Sequence, residues 1–261
     1  MRIVSLCPSL TELVFDLGRG DDLVGVTKFC VHPAAGVARI EKVGGTKNPR
    51  VEQISELRPD LVLLNEEENR IEDAEALRAR SIDCHVSFPR TTADTAAMVR
   101  SIGEAIDAAR QAERIASDIE SRAAVVREAT EGRDPVRFAY LIWREPIMVA
   151  GGDTFISHLL GLAGGVNVFG PEDGSGDRYP SVREEDLGSA DPAAVLLSTE
   201  PFPFGESHAD GLSAATGIPR DRFHIVDGEL LSWHGSRTPS GIVYAASLLD
   251  RIRNPQESRD E

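Results

Sequence analysis

Residues 92–131, TADTAAMVRSIGEAIDAARQAERIASDIESRAAVVREATE, decide how the chain is organised. Their apolar positions Met98, Ile102, Ala105, Ala109, Ala112, Ala116, Ile119, Ala123 and Val126 step by four and three in alternation. That spacing lays one narrow stripe along a helix. Arg100, Glu104, Arg110, Glu113, Arg114, Asp118, Glu120 and Arg127 occupy the other faces, so one side alone needs cover. A single helix of this length would run roughly 60 Å, about twice the diameter of a small domain. The stretch therefore predicts a break near Gly103 or Asp107-Ala108, with a first helix over 92–107 and a longer one over 109–131. A coiled-coil arm is the alternative, but its seam would be mostly Ala where zippers use Leu and Ile.

Outward from this bar, both flanks alternate strand-like and helix-like segments. On the N-terminal side, strands are expected at 2–6, 23–26, 61–64 and 84–87. The unbroken apolar run Leu61-Val62-Leu63-Leu64 is how a strand buried on both faces reads. Helices are expected from Leu10 to Leu17, closed by Gly18, and over 51–57 and 73–80. Ser9 with Glu12 three residues on has the form of a capping box. On the C-terminal side, strands are expected at 137–142, 147–150, 194–197 and 223–226. Helices should run over 155–162 with Asp153 or Thr154 as cap, from Tyr179-Pro180-Ser181 to Leu187, and from Pro239 to about Arg253, with a disordered polar tail beyond.

Strands alternating with helices indicate parallel sheets covered by helices. The helix-to-strand passage 51–64 is echoed by 182–197, including Pro59-Asp60 against Asp191-Pro192. The expected fold is α/β, with two similar lobes, each a parallel-sheet unit, bridged by a long rigid backbone helix. The boundaries read as an N-terminal lobe over 1–90, a bridging helical segment over 91–132 and a C-terminal lobe over 133–261.

The chain of 261 residues is 41% hydrophobic, enough to bury a core. No run approaches the roughly 20 apolar residues that cross a bilayer. The start Met1-Arg2-Ile3-Val4-Ser5 goes straight into a strand with no charged-then-apolar leader, so the chain as written is expected in the cytoplasm. Three cysteines without CxxC spacing indicate neither a disulfide framework nor a zinc ribbon. The net charge of -15 disfavours nucleic acid and anionic membranes as partners.

In open parallel sheets, ligands bind beyond the carboxyl ends of strands. The loops at those ends collect the candidate ligand-binding residues Ser9, Phe29, Cys30, His32, Gly45, Asn65, Glu66 and Arg90 in the first half. In the second half they are Trp143, Arg144, Tyr179, Glu200, Trp233, His234 and Arg237. Both tryptophans of the chain are among them, and indole and phenol rings make flat, rigid walls for a large ligand. No GxSxG, HExxH or Walker A motif is present. The six histidines never pair at metal-ligand spacing, and only His32 and His234 occupy strand-end loops from which they could touch a ligand or its metal. No catalytic residue and no required cofactor is expected.

The opening Ile3-Val4-Ser5-Leu6-Cys7-Pro8-Ser9-Leu10-Thr11-Glu12-Leu13, the strand Leu23-Val24-Gly25-Val26-Thr27, Val43-Gly44-Gly45 and Pro59-Asp60-Leu61-Val62-Leu63 resemble the class III, helical-backbone substrate-binding proteins. These serve importers of vitamin B12, siderophores and haem, and the chain is most similar to their cobalamin-binding branch. The resemblance implies a non-catalytic monomeric receptor that holds a metal-centred macrocycle, cobalamin first, in a cleft between lobes and closes little on binding. It puts Phe29, Trp143, Tyr179 and Trp233 on the ligand. It implies an ABC permease as partner, docked through a surface carboxylate on each lobe, with Glu68 or Glu72 and Glu206 as candidates. Exported members begin with a signal peptide or lipoprotein leader, so the expected compartment becomes periplasmic or cell-surface if a leader precedes this start.

Two other readings stay open. A ferric siderophore or haem would set Lys47, Arg90, Arg144 and Arg237 against anionic groups. A cytosolic, chelatase-like enzyme handling a corrinoid or tetrapyrrole would draw on Cys30, His32, Glu66, Arg90 and His234.

Overall fold

The structure is a computed structural model, and it describes residues 1–170 and 176–254. The polar tail expected after Arg253 lies, from 255 on, outside the described residues. In chain order the first elements are β1 (Ile3–Ser5), α1 (Pro8–Asp16), β2 (Leu23–Val26), α2 (Ala34–Val37), β3 (Glu41–Lys42), α3 (Val51–Glu56), β4 (Leu61–Asn65), α4 (Ile71–Arg78), β5 (Cys84–Ser87), α5 (Thr92–Ala105) and α6 (Ala109–Thr130). There follow β6 (Val136–Trp143), β7 (Met148–Val149), α7 (Phe155–Leu162), β8 (Gly165–Asn167), α8 (Glu184–Ala190), β9 (Ala194–Ser198), α9 (Glu206–Thr216), β10 (Phe223–Val226), α10 (Gly228–Ser232) and α11 (Thr238–Arg253).

The chain forms two compact units. Unit 1 comprises Met1–Pro89, Ala93–Asp118 and His234–Arg237; unit 2 comprises Arg90–Thr92, Ile119–Trp233 and Thr238–Glu261. Helix α6 is thus shared, its first half with unit 1 and its second with unit 2.

Unit 1 is built on a parallel sheet of order β3-β2-β1-β4-β5. Its first strand is central, and β1 and most of β4 are buried on both faces, which explains their unbroken apolar sequences. One face packs Val4, Leu6, Val62 and Leu64 against Ile54, Ala74 and Leu77 of α3 and α4. Unit 2 repeats the plan with order β10-β9-β6-β7, and β8 also pairs with β6. Its core joins Ala139, Leu141, Val195 and Leu197 to Leu187, Ala209 and Leu212. The echo seen in the sequence is structural. In each unit the first strand pairs in parallel with the strand that follows a short helix, β1 with β4 and β6 with β9. Each of those helices is followed by a left-handed residue just before a proline: Arg58 at φ 48° before Pro59, and Asp191 at φ 41° before Pro192.

The second sheet is parallel except at β7, which runs antiparallel to β6. Four residues, 144–147, separate the two strands, too few for a parallel crossover, which needs about a dozen.

The long helical stretch breaks as expected. Asp107 adopts φ 55°, and the N–H of Ala108 reaches back to the Gly103 carbonyl at 2.7 Å, the six-to-one bond of a Schellman ending with Asp in the left-handed position. The break resets the helical phase. Ile106 and Ala108 are buried in place of the expected Ala105, which is half-buried, and Ala109, which is exposed, while Met98, Ile102, Ala112, Ala116, Ile119, Ala123 and Val126 are buried. Gly103 permits the return: a Cβ there would lie 2.2 Å from the Cβ of Ala112. A second correction concerns Ser9. Helix α1 starts at Pro8 with Cys7 as its cap residue and no side-chain cap bond, so Ser9 lies inside the first turn. At α7 the cap is Thr154, whose hydroxyl accepts from the Ser157 N–H.

Candidate functional site

The carboxyl ends of the unit 1 strands carry most of the residues expected there, but in different states. Phe29, in the loop after β2, is 51% exposed; the Lys28 ammonium lies 4.9 Å from its ring centroid. Its ring edge sits beside Gly45, where an added Cβ would be 3.3 Å from Cε2. Phe29 and Gly45 are therefore brought together, Gly45 itself being buried, and His32 is half-buried farther along the same loop.

Cys30 faces the interior. It is buried, with its sulfur 3.0 Å from the Thr11 hydroxyl and 3.1 Å from that of Thr27, and burial raises its pKa so that it stays a thiol. Cys7 is likewise buried, 3.3 Å from the Ser9 hydroxyl, and burial, helped by the Glu68 charge, pushes it up to about 12. The expected ligand roles of Cys30 and Ser9 are thus replaced by packing ones.

Asn65 closes β4 and organises its neighbours. Its side-chain oxygen accepts from the N–H groups of Glu67 (2.9 Å) and Glu68 (3.3 Å), which fixes the amide so that its NH2 faces His234 Nε2 at 3.1 Å. An acceptor Nε2 leaves the ring proton on Nδ1. His234 is 6% exposed, and burial lowers its pKa to about 4. The expectation that His234 meets a ligand's metal is corrected on these grounds, because its lone pair is already engaged inside unit 1.

Arg237, three residues on, holds Glu12 of α1 through two nitrogens at 2.5 and 3.0 Å. Glu66 is exposed, its N–H bonded to the Ser87 carbonyl at 3.0 Å. Glu68 is half-buried, with its carboxyl pKa raised by burial against the pull of Lys47 and a Thr46 hydrogen bond. A carboxylate so placed is poorly suited to docking a partner, whereas Glu72 on α4 is exposed.

In unit 2 the strand ends again separate exposed from buried aromatics. Trp143 ends β6 and is 40% exposed; its indole N–H donates to the Glu145 carbonyl at 3.2 Å. Trp233 is 9% exposed, with its N–H on the Glu200 carboxylate at 2.7 Å, which also accepts from the Ser232 hydroxyl at 2.8 Å. Trp233 and Glu200 thus secure one another, and the expected ligand-facing role of Trp233 is corrected to a packing one. Tyr179 is half-buried in the segment that runs along β7, where the Val149 N–H bonds the Pro180 carbonyl at 3.1 Å.

The strand-end arginines are engaged within the chain. Arg90 lies 3.3 and 3.4 Å from the two oxygens of Asp153, which Arg178 also reaches at 3.0 Å. Arg144 pairs with Glu184 at 3.1 Å. Glu206, at the start of α9, is exposed and bridged to Arg220, which also holds Asp210 at 2.6 Å. No group of three or more His, Cys, Asp or Glu side chains suited to a metal ion occurs among the described residues.

The sequence reading missed Phe202 and Phe204. Phe202 stacks edge-on to Trp143 with centroids 5.7 Å apart. The signal was present in Glu200-Pro201-Phe202-Pro203-Phe204, where prolines hold the chain extended and alternate with rings directly after a buried strand.

Among relatives, an ABC transporter substrate-binding lipoprotein of Bacillus subtilis is 27% identical over 256 residues, covering 95% of this chain and 79% of that protein. A vitamin B12-binding protein of Vibrio parahaemolyticus is 25% identical over 197 residues, 76% of this chain and 70% of the relative. Among solved structures, the periplasmic vitamin B12-binding protein BtuF of Vibrio cholerae superposes with TM-score 0.82 at 23% identity, covering 97% of this chain and 98% of that one. The periplasmic haem-binding protein RhuT of Roseiflexus superposes with TM-score 0.80 at 24% identity, covering 96% and 97%. The fold is therefore the two-lobed α/β architecture of these binding proteins. Residues 3–216 match the periplasmic binding protein family along most of the sequence. Members of that family bind rather than catalyse and carry no cofactor of their own, which sets the chelatase-like reading aside. With fold and sequence in agreement, this chain belongs to the periplasmic binding protein family.

Proposed function

We propose that the chain is the receptor of an ABC importer for a metal-centred macrocycle with an uncharged, amide-bearing periphery, cobalamin first. The observation that carries this choice is the pairing of Arg90 with Asp153, Arg144 with Glu184 and Arg237 with Glu12. A ligand carboxylate reaching any of these guanidiniums would exchange one ion pair for another, with little net gain. Glu66 is exposed and Glu200 half-buried, and the like charge of each opposes an anionic ligand beside it. Amides are not penalised this way. Phe29 and Trp143 are both exposed aromatic rings, and covering either contributes about 1–3 kcal/mol. The vitamin B12-binding relatives in Vibrio support the same ligand.

Partner and compartment follow from this reading: an ABC permease engaged through exposed carboxylates such as Glu72 and Glu206, and a site of action outside the cytoplasmic membrane, like the Bacillus lipoprotein. Gly45, His32 and Tyr179 complete the proposed ligand set, and the receptor acts as a monomer.

His32 favours one second reading. An imidazole half-buried at a strand end suits axial coordination of haem iron, so haem is the competing ligand.

The deciding experiment is the visible absorption spectrum of the purified chain after incubation with cyanocobalamin, haemin or a ferric siderophore, followed by titration. Cobalamin should be retained with micromolar to nanomolar affinity, about -8 to -12 kcal/mol. Trp143→Ala should weaken it by about one to two decades, as expected for a lost aromatic anchor. Retention of haemin or siderophore alone would transfer the assignment to that ligand, and retention of none would end the receptor reading for all three.

A further inference from the structure

The Trp143 indole is backed by other aromatic rings. Beyond its one hydrogen bond to the Glu145 carbonyl, it meets the Phe202 ring at 5.7 Å with the planes 69° apart. Phe202 enters from the loop after β9, the strand next to β6. It is seated in turn on Phe204 at 4.7 Å and 61°, and on His208 at 5.1 Å and 78°. Phe204 and His208 meet each other at 5.8 Å, closing a three-ring cluster with Phe202. Phe204 is buried in the unit 2 core with Ala209 and Leu212. His208 cannot swing freely, because its Nδ1 accepts the Gly205 N–H at 3.0 Å.

Every ring in the series is edge-on to the next, the arrangement that aromatic quadrupoles favour. Its outermost member is an indole with 40% of its surface open to solvent. A side chain ordered before a ligand arrives loses less freedom on binding, and that gain appears as affinity.

We propose that Phe202 is a positioning residue for ligand binding: seated on Phe204 and His208, it holds the Trp143 indole in one orientation and sets affinity through that indole. The proposal rests on Trp143 being a ligand wall, and its test separates failure of the one from failure of the other.

The full chain is compared as wild type, Phe202→Leu, Phe202→Tyr, Trp143→Ala and the Phe202→Leu/Trp143→Ala double variant. Each is titrated with cyanocobalamin and with haemin, and acrylamide quenching of tryptophan emission is measured in parallel. Because Trp233 is buried, the quenchable emission reports Trp143. Phe202→Leu should weaken binding by about three- to tenfold when Trp143 is present, the range expected for one aromatic pair. In the Trp143→Ala background the same change should cost less than about twofold, since the coupling has been removed. Quenching of Trp143 should rise in Phe202→Leu and return to the wild-type value in Phe202→Tyr.

Equal loss of affinity in both backgrounds, or quenching unchanged by Phe202→Leu, overturns the proposal. If wild type binds neither probe, the receptor reading fails for these ligands, and the quenching series alone decides whether Phe202 holds the indole. Should Phe202→Leu lose its far-ultraviolet circular dichroism, Phe202→Met takes its place in every arm.

Discussion

Trp143 and Trp233 read alike in the sequence, an indole at the end of a strand-end segment, and the structure gives them different surroundings. What separates them is the Glu200 carboxylate, which takes the Trp233 N–H, whereas the Trp143 N–H is spent on a carbonyl two residues away and its ring stays open. Replacing Trp233 by Phe should therefore act on stability. Loss of a charge-assisted hydrogen bond at a buried ring costs about 1–3 kcal/mol, to be read from the urea midpoint, while cobalamin titrations shift far less than in Trp143→Ala. Equal loss of affinity in the two variants would return Trp233 to the ligand. The same distinction explains why the site was only partly legible. Residue type and place at a strand end are written in the sequence, and they singled out Phe29, Gly45 and Trp143 as candidates, of which Phe29 and Trp143 are exposed and Gly45 is buried. Whether a side chain there faces solvent depends on partners far away along the chain, such as Asn65 for His234 and Glu12 for Arg237.

At the scale of elements, legibility followed length and pattern. Strands β2, β5 and β10 and helix α7 fall on their expected residues, because β-branched, aromatic or other apolar residues between turn-forming neighbours leave few other local conformations. Two-residue β3, made of Glu41 and Lys42, and the polar α9 carry too little periodicity to be seen, and neither was. The break between α5 and α6 was legible from length alone; its phase reset was not, since it depends on how Asp107 turns the chain. The return of α6 beside α5 passes over Gly103, where a Cβ would stand 2.2 Å from that of Ala112. Gly103→Val should push the two helices apart and lower unfolding free energy by about 1–3 kcal/mol through overpacking. Ala112→Gly in the same chain should recover part of that loss, which thermal denaturation of the single and double variants would show. A single variant as stable as wild type would mean that the crossing yields at no cost.

For the whole molecule, burial of ionisable groups sets the response to acid. His85, His224 and His234 all have pKa values lowered, chiefly by burial, and that of His234 falls to about 4 against 6.5 for the free side chain. A histidine with a depressed folded pKa takes up a proton on unfolding, so its effect is absent above about pH 6.5 and destabilises progressively as the pH falls toward 4. For fully buried His234 this loss is on the order of 3 kcal/mol. Glu68, raised by burial, acts in the opposite sense: it favours the fold below its unfolded pKa, and that contribution fades as the pH rises through the higher folded value. The urea midpoint should therefore drop between pH 6.5 and 4, and the drop should be smaller in His234→Gln. A flat profile in wild type would contradict the buried neutral imidazole.

Unit 1 has a consequence for synthesis of the chain. Its last segment, His234–Arg237, is translated long after the sheet it joins. Until that segment leaves the ribosome, Glu12 has no guanidinium from Arg237 and the Asn65 amide has no imidazole from His234. The N-terminal half can thus begin to condense early, but it reaches its finished form only after residue 237 has been made.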